Sequence, residues 1–244
     1  MYKILCFLCL SYSAKCCTME MIGEMLTMDK QNESRAALRQ DILHTAERLF
    51  KERGYDQATF KMIADQLGVT RGAIVYHFKN KHRILHALFE DFFMLLHDFI
   101  RENLTDGFNY YLYYCIFYIY ISREIIKNEK NYQLFYHKDY VDSLEREKML
   151  DVEESYRLIT VNFNKDFSTE ELRLAAIMDR GARFRLFKEF AEGDGTITVE
   201  KYSYYRIYLM GVLSRLDEAT IDKNISRAFE FADSHTPPGI FLLA

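Results

Sequence analysis

Phe60, Ile63, Ala64 and Leu67 recur at the spacing of one apolar face of a short helix. Gly68 follows them, and glycine ends a helix without strain because it takes the left-handed C-cap conformation. Thr70 then stands where a hydroxyl caps a second helix, over about Thr70 to Phe78. Its pattern turns Ile74 and Phe78 inward and leaves Arg71, Gly72 and Tyr76 outside. Two short helices joined by a tight glycine-bearing turn form a helix-turn-helix unit, whose second helix fits the DNA major groove. The same spacing also fits an ordinary helical hairpin.

The periodicity on either side is helical too. From about Ser34 to Arg53 the apolar face is Leu38, Ile42, Leu43, Ala46, Leu49 and Phe50, with Lys51 and Arg53 favouring the C-terminal end of the dipole and Gly54 stopping the helix. Asn80 caps a long helix from Lys81 to about Asn103, with apolar positions Ile84, Leu85, Leu88, Phe92, Leu95, Leu96 and Phe99. Phe108 to Ile126 is apolar or aromatic nearly all round, the mark of a helix enclosed in a bundle. Tyr132 to Tyr140 reads as a short helix or linker, and Asp142 to Phe163 as a helix with Asp142 and Glu145 in its first turn. Ser168-Thr169-Glu170-Glu171 has the form of a capping box and opens a helix to about Ala191. Gly193-Asp194-Gly195 breaks the chain, helices follow over Val199 to Leu216 and Thr220 to Ser234, and Pro237-Pro238 ends regular structure. The fold class predicted is all-α.

Composition sharpens this in two places. Two prolines and 10 glycines in 244 residues, with 49% hydrophobic and 15% aromatic residues, suit a helical core over a turn-rich β fold. The net charge of −4 is uneven: Asp29 to Arg83 carries 11 Lys and Arg against 7 Asp and Glu, a balance of +4 that leaves −8 for the remainder. A basic headpiece on an acidic body suits a protein that meets a polyanion at one end.

Around the headpiece, Ala46 to Phe50 before Gly54-Tyr55, Thr59 before Ile63-Ala64, Leu67-Gly68-Val69, and His77-Phe78 followed by Lys81 together resemble the N-terminal domain of the TetR (tetracycline-repressor-like) family of transcriptional regulators. The resemblance spans about 50 residues. One departure stands out: the family commonly has Leu-Tyr where this chain has Ile74-Val75, and that tyrosine is a phosphate contact. Tyr76 comes one residue later, on a different face.

Residues 1–28 read as an N-terminal extension that is disordered or follows from a misassigned start, and the resemblance implies a helix-turn-helix DNA-binding domain (29–80) and a larger helical ligand-binding and dimerisation domain (81–244). It implies a cytoplasmic, homodimeric DNA-binding regulator, a repressor, whose hold on a palindromic double-stranded operator is modulated by an apolar or aromatic small-molecule inducer. Within that frame Arg71 is the candidate base reader, because a guanidinium bonds guanine O6 and N7 together. Thr70 and Gly72 let the helix N-terminus approach a phosphate. Thr59, Tyr76, His77 and Lys81 form the phosphate-positioning set. Each also has a plainer role available: Thr59 as a cap, His77 bonded within the headpiece, Lys81 as a solvated first-turn residue. Tyr110, Tyr114, Phe117, Tyr118 and Ile121 are candidates for the ligand pocket, though the same stripe serves as core. Ile177, Phe184 and Phe187, with Tyr205, Tyr208, Leu209 and Val212, are candidates for a four-helix dimer interface.

Other chemistries find little support. No Ser-His-Asp spacing, phosphate-cradling glycine loop or His/Cys/Glu cluster of metal-ligand form occurs, so no enzyme, cofactor or metal site is expected. Four of the 5 cysteines, Cys6, Cys9, Cys16 and Cys17, lack the second spaced pair and histidines of a zinc site, and only Cys115 lies in the body. The run after Lys3 resembles an export-signal core, or a lipoprotein signal acylated at Cys16, which makes a secreted or lipid-anchored helical protein the alternative reading. A start at Met19, Met21, Met25 or Met28 is favoured over both. Neither that run nor the aromatic helix has the roughly 20 clean apolar residues that span a bilayer.

Overall fold

The computed structural model describes residues 19–127, 129–135, 149–192 and 195–237. Among these residues it holds ten α-helices and no strand: α1 (Met19–Arg53), α2 (Phe60–Leu67), α3 (Arg71–His77), α4 (Lys81–Asn103), α5 (Tyr110–Lys127), α6 (Glu129–Phe135), α7 (Met149–Asn162), α8 (Thr169–Glu192), α9 (Val199–Leu213) and α10 (Glu218–Ser234). The expectations placed on residues 1–18, including the four cysteines, on 136–148, including Asp142 and Glu145, on Gly193-Asp194 and on Pro238 fall outside the described residues.

The body is built around α5, which packs against α10, α9, α7, α6 and α4. Its apolar circumference explains this: Tyr111, Leu112, Cys115, Ile116 and Ile119 are all fully enclosed. The Tyr111 hydroxyl donates to the Ile207 carbonyl of α9 at 2.9 Å. Gly211 makes that approach possible, since a Cβ there would lie 2.6 Å from the Tyr111 hydroxyl and 2.7 Å from Ile221. Real side chains avoid such distances because the core is close-packed. Asn109 donates to Asn224 of α10 at 2.8 Å and ties the start of α5 to the same layer.

Several ends differ from the periodicity. α1 begins at Met19 where the apolar face predicted Ser34, so residues 19–28 continue the helix backbone. Leu95 is 53% exposed and does not belong to the buried face of α4, whose inward line runs through Phe92, Leu96 and Ile100. α5 starts at Tyr110, with Phe108 exposed before it. α9 ends at Leu213, where the Ser214 N–H still bonds the Met210 carbonyl and Arg215 turns to a φ of 56°. α10 opens two residues before Thr220, capped by Asp217, whose carboxylate accepts the Thr220 N–H at 2.9 Å. The capping box of α8 forms as its sequence predicts: Glu171 accepts the Ser168 N–H at 2.8 Å, and Ser168 Oγ accepts the Glu171 N–H at 3.2 Å. No described helix is long and apolar enough to cross a membrane.

Candidate nucleic-acid interface

The headpiece is assembled from α1, α2, α3 and the start of α4. Ile42, Leu43, Ala46, Leu49 and Phe50 of α1 pack with Ile63 and Ala64 of α2 and with Ile74 and Phe78 at the end of the turn, all buried. Thr59 caps α2 by accepting the Met62 N–H at 3.3 Å. Gly68 closes α2 with a φ of 65°, in the left-handed region that favours glycine. Thr70 caps α3 by accepting the Ala73 N–H at 3.2 Å. These caps satisfy helix-end donors, so both short helices hold their ends although neither is long enough to be stable alone.

The burial of Ile74 and Phe78 fixes which face of α3 is turned out. Arg71, Gly72, Val75 and Tyr76 are exposed, Tyr76 at 69%. Gly72 has an ordinary backbone conformation, and a Cβ there meets nothing closer than Thr70 Oγ1 at 3.6 Å. His77 is half-buried, with its ring edge-on to Tyr76 at 5.3 Å between centroids.

Two cations beside α3 were not singled out by the sequence. The Arg35 guanidinium lies 5.9 Å from the Tyr76 ring, and that of Arg39 lies 5.1 Å from the Phe78 ring. Their i, i+4 spacing on α1 put them on one face, but only the packing of α1 across α3 shows which face. Lys81 sits differently from the rest of its set. Its amine donates to the carbonyls of Tyr55 at 2.7 Å, Ala58 at 3.2 Å and Asp56 at 3.3 Å, and lies 4.2 Å over the Tyr55 ring. It pins the loop between α1 and α2 to the base of α4.

In the body, Tyr110, Tyr114 and Tyr118 are half-buried, while Phe117 and Ile121 are buried. The Tyr110 backbone N–H donates to Asn162 Oδ1 at 2.9 Å. A cavity of about 240 Å³ lies elsewhere, where Tyr55, Asp56 and Gln57 of the headpiece face Lys130, Gln133 and Leu134 of α6, and none of those five side chains lines it. Of the residues proposed for a dimer face, Ile177, Phe184, Tyr205 and Val212 are exposed, and Leu174 and Met178 extend the same apolar stripe on α8. Tyr208 and Leu209 are half-buried. Phe187 differs: it is buried within the chain, its ring 5.0 Å from Tyr132 and 6.0 Å from Tyr202. It lies three residues beyond Phe184, on the inner side of α8, so helical spacing alone did not separate the two.

Residues 42–88 match the family model described as bacterial regulatory proteins, tetR family. The chain is 45% identical over 53 residues to the HTH-type transcriptional repressor Rv1474c of Mycobacterium tuberculosis, which covers 22% of this chain and 28% of that one. It is 31% identical over 101 residues to the transposon Tn10 TetC protein of Escherichia coli, covering 38% and 51% respectively. It is 42% identical over 64 residues to the HTH-type transcriptional regulator TtgR of Pseudomonas putida, covering 26% and 29%. The chain thus spans between 28% and 51% of the length of these relatives. Over the whole fold it is similar to RolR crystallised with resorcinol, with a TM-score of 0.60, 17% identity, and coverage of 80% of this chain and 96% of that one. RolR without ligand gives a TM-score of 0.56.

Proposed function

We propose, from the premise that residues 42–88 form a TetR-family N-terminal domain, that this chain is a sequence-specific DNA-binding transcriptional regulator that represses as a cytoplasmic homodimer. The headpiece (29–80) reads the duplex, and the helical body (81–244) pairs two copies and takes a small-molecule ligand. The observation that carries this reading is the outward face of α3. Arg71 and Gly72 stand at its free N-terminal end while Ile74 and Phe78 anchor the opposite side in the core. Arg71 reads a base edge, Gly72 lets the helix come close, and Thr70, Tyr76 and His77 lie where phosphates pass. Arg35 and Arg39 join them as cations from α1, and Thr59 adds its hydroxyl at the start of α2. Lys81 acts by positioning the α1–α2 loop.

Dimerisation follows from groove geometry: two copies of α3 reach successive major grooves of a palindrome when they stand about 34 Å apart. The exposed stripe of Ile177, Phe184, Tyr205 and Val212 supplies an apolar face for that pairing. A ligand that favours a different separation lowers operator affinity by its difference in affinity for the two states. The test is fluorescence anisotropy of the purified full chain on duplexes drawn from its own genomic neighbourhood, across a salt series. Tight, salt-dependent binding to one duplex over scrambled controls is expected. Equal, weak binding to every duplex contradicts the reading.

A further inference from the structure

The interior of the helical body holds two guanidinium charges, Arg183 and Arg206, against one buried carboxylate, Asp179. Arg206 of α9 is 5% exposed, and its Nε is buried without an acceptor. Its guanidinium lies 3.8 Å over the Tyr118 ring of α5. Arg183 of α8 has its Nε 2.9 Å from the Asp179 carboxylate. Two further donors accompany Arg206. Ser203, one turn earlier on the same helix, and Tyr156 of α7 are each 1% exposed, and both hydroxyls lack a partner. Tyr156 interacts electrostatically with Asp179, Tyr118, Arg183 and Arg206, which sets Tyr156, Tyr118 and the two arginines in one neighbourhood where α5, α7, α8 and α9 meet, with Ser203 one turn from Arg206 on α9. Burial above all keeps its phenol protonated, so it is a donor.

Buried polar groups are nearly always satisfied, and a buried cation without a counter-charge is the costliest exception. A trapped water would serve a hydroxyl but would leave the charge uncompensated. The neighbourhood holds two cations, one carboxylate that lies against Arg183, and two hydroxyls without acceptors, so one positive charge is in excess and its complement is an anion with several acceptor lone pairs. A guanidinium fork matches a carboxylate in plane and spacing. The rings of Tyr118 and Tyr156 supply an apolar surround for the rest of such a molecule.

We propose that Arg206, with Tyr156 and Ser203, is the recognition group for the carboxylate of a small organic acid, and that this acid is the regulator's ligand. The proposal rests on the regulatory reading above and gives its ligand a chemistry. It also ties Tyr118, one of the five pocket residues expected on α5, to the place where charge is recognised.

The test is calorimetric titration of the full chain with acetate, benzoate and hexanoate, each against its neutral amide. At least one acid is expected to bind with one site per chain and at least tenfold tighter than its amide. Arg206→Gln is expected to abolish that preference, and Arg206→Lys to weaken it about tenfold, with folding checked by circular dichroism. Tyr156→Phe and Ser203→Ala, milder changes, are expected to weaken the acid at least threefold, which keeps the test decisive if the arginine variants do not fold. Three acids that bind no tighter than their amides, or an Arg206→Gln protein that keeps the preference, overturn the proposal. Duplex binding is measured on the same samples. Salt-dependent binding to DNA without acid preference sinks this inference alone. Acid preference without DNA binding sinks the regulatory reading instead.

Discussion

The amine of Lys81, in the first turn of α4, donates to the carbonyl of Tyr55 at 2.7 Å across the headpiece. The Asp56 and Ala58 carbonyls stand at 3.3 and 3.2 Å from the same nitrogen, so its donors are turned toward the loop that follows α1. An ammonium has three N–H groups, and here they face three carbonyls. Lys81→Met is therefore expected to cost about 1.5–3 kcal/mol of stability, the range for a hydrogen bond to a charged group. Urea unfolding measures it. The slope of log affinity against log salt should stay as in the native protein; a fall of about one would return Lys81 to the phosphate contacts.

Gly72 is not required by the fold. Its φ lies outside the left-handed region, and a Cβ would meet Thr70 Oγ1 at an ordinary 3.6 Å. Gly72→Ala should leave stability unchanged or raise it by about 0.5–1 kcal/mol through helix propensity. On the duplex the added methyl stands where the helix end meets DNA, and affinity is expected to fall about tenfold, about 1.4 kcal/mol. Thermal melting and anisotropy on one preparation separate the two effects, and undiminished affinity argues against close approach at this point.

Arg71 and Arg35 are expected to fail differently. Arg71→Ala should cost about 1–3 kcal/mol on the preferred duplex and relax one base position. Arg35, held beside Tyr76, contributes charge. Arg35→Ala should weaken all duplexes alike and reduce the salt slope by about one. A panel of single-base operator variants distinguishes the patterns.

Phe184 and Phe187 lie one turn apart on α8 with opposite fates. Phe184 is 55% exposed and Phe187 is 4% exposed. Phe184→Glu should leave the monomer fold intact and shift sedimentation toward the monomer mass. Phe187→Ala should remove a buried ring and cost about 3–5 kcal/mol. A Phe184→Glu protein that remains dimeric moves the interface off this stripe.

Glu171 gives the α8 cap a pH dependence. The Ser168 N–H, the Arg215 guanidinium and the Ser168 hydroxyl, in that order, hold its carboxyl down to about 2 from an ordinary 4.5. Because the folded state depresses this pKa, the stabilisation is fully present above about 4.5 and is lost as pH falls toward 2. Glu171→Gln should flatten that part of the acid-melting curve. A variant with the same acid profile as the native protein rules out this cap as the source.

The sequence by itself determined many of the features that depend on near neighbours in the chain, though not the Asp217 cap that opens α10 two residues before Thr220. Gly68, Thr70, Asn80 and the Ser168–Glu171 box end or begin helices through contacts within four residues, and the i, i+3, i+4 stripe of α2 names its buried face. The tertiary structure decided what a periodic pattern leaves symmetric. Phe184 and Phe187 look alike until Tyr132 and Tyr202 close over one of them. Lys81 has the look of a solvated first-turn residue until the loop 23 to 26 positions earlier folds across it. Arg206 sits on α9 among tyrosines and a serine, and nothing local marks its Nε as buried without an acceptor. Its burial exists only because the helices around α9 close over it, and desolvation is a property of the assembled fold.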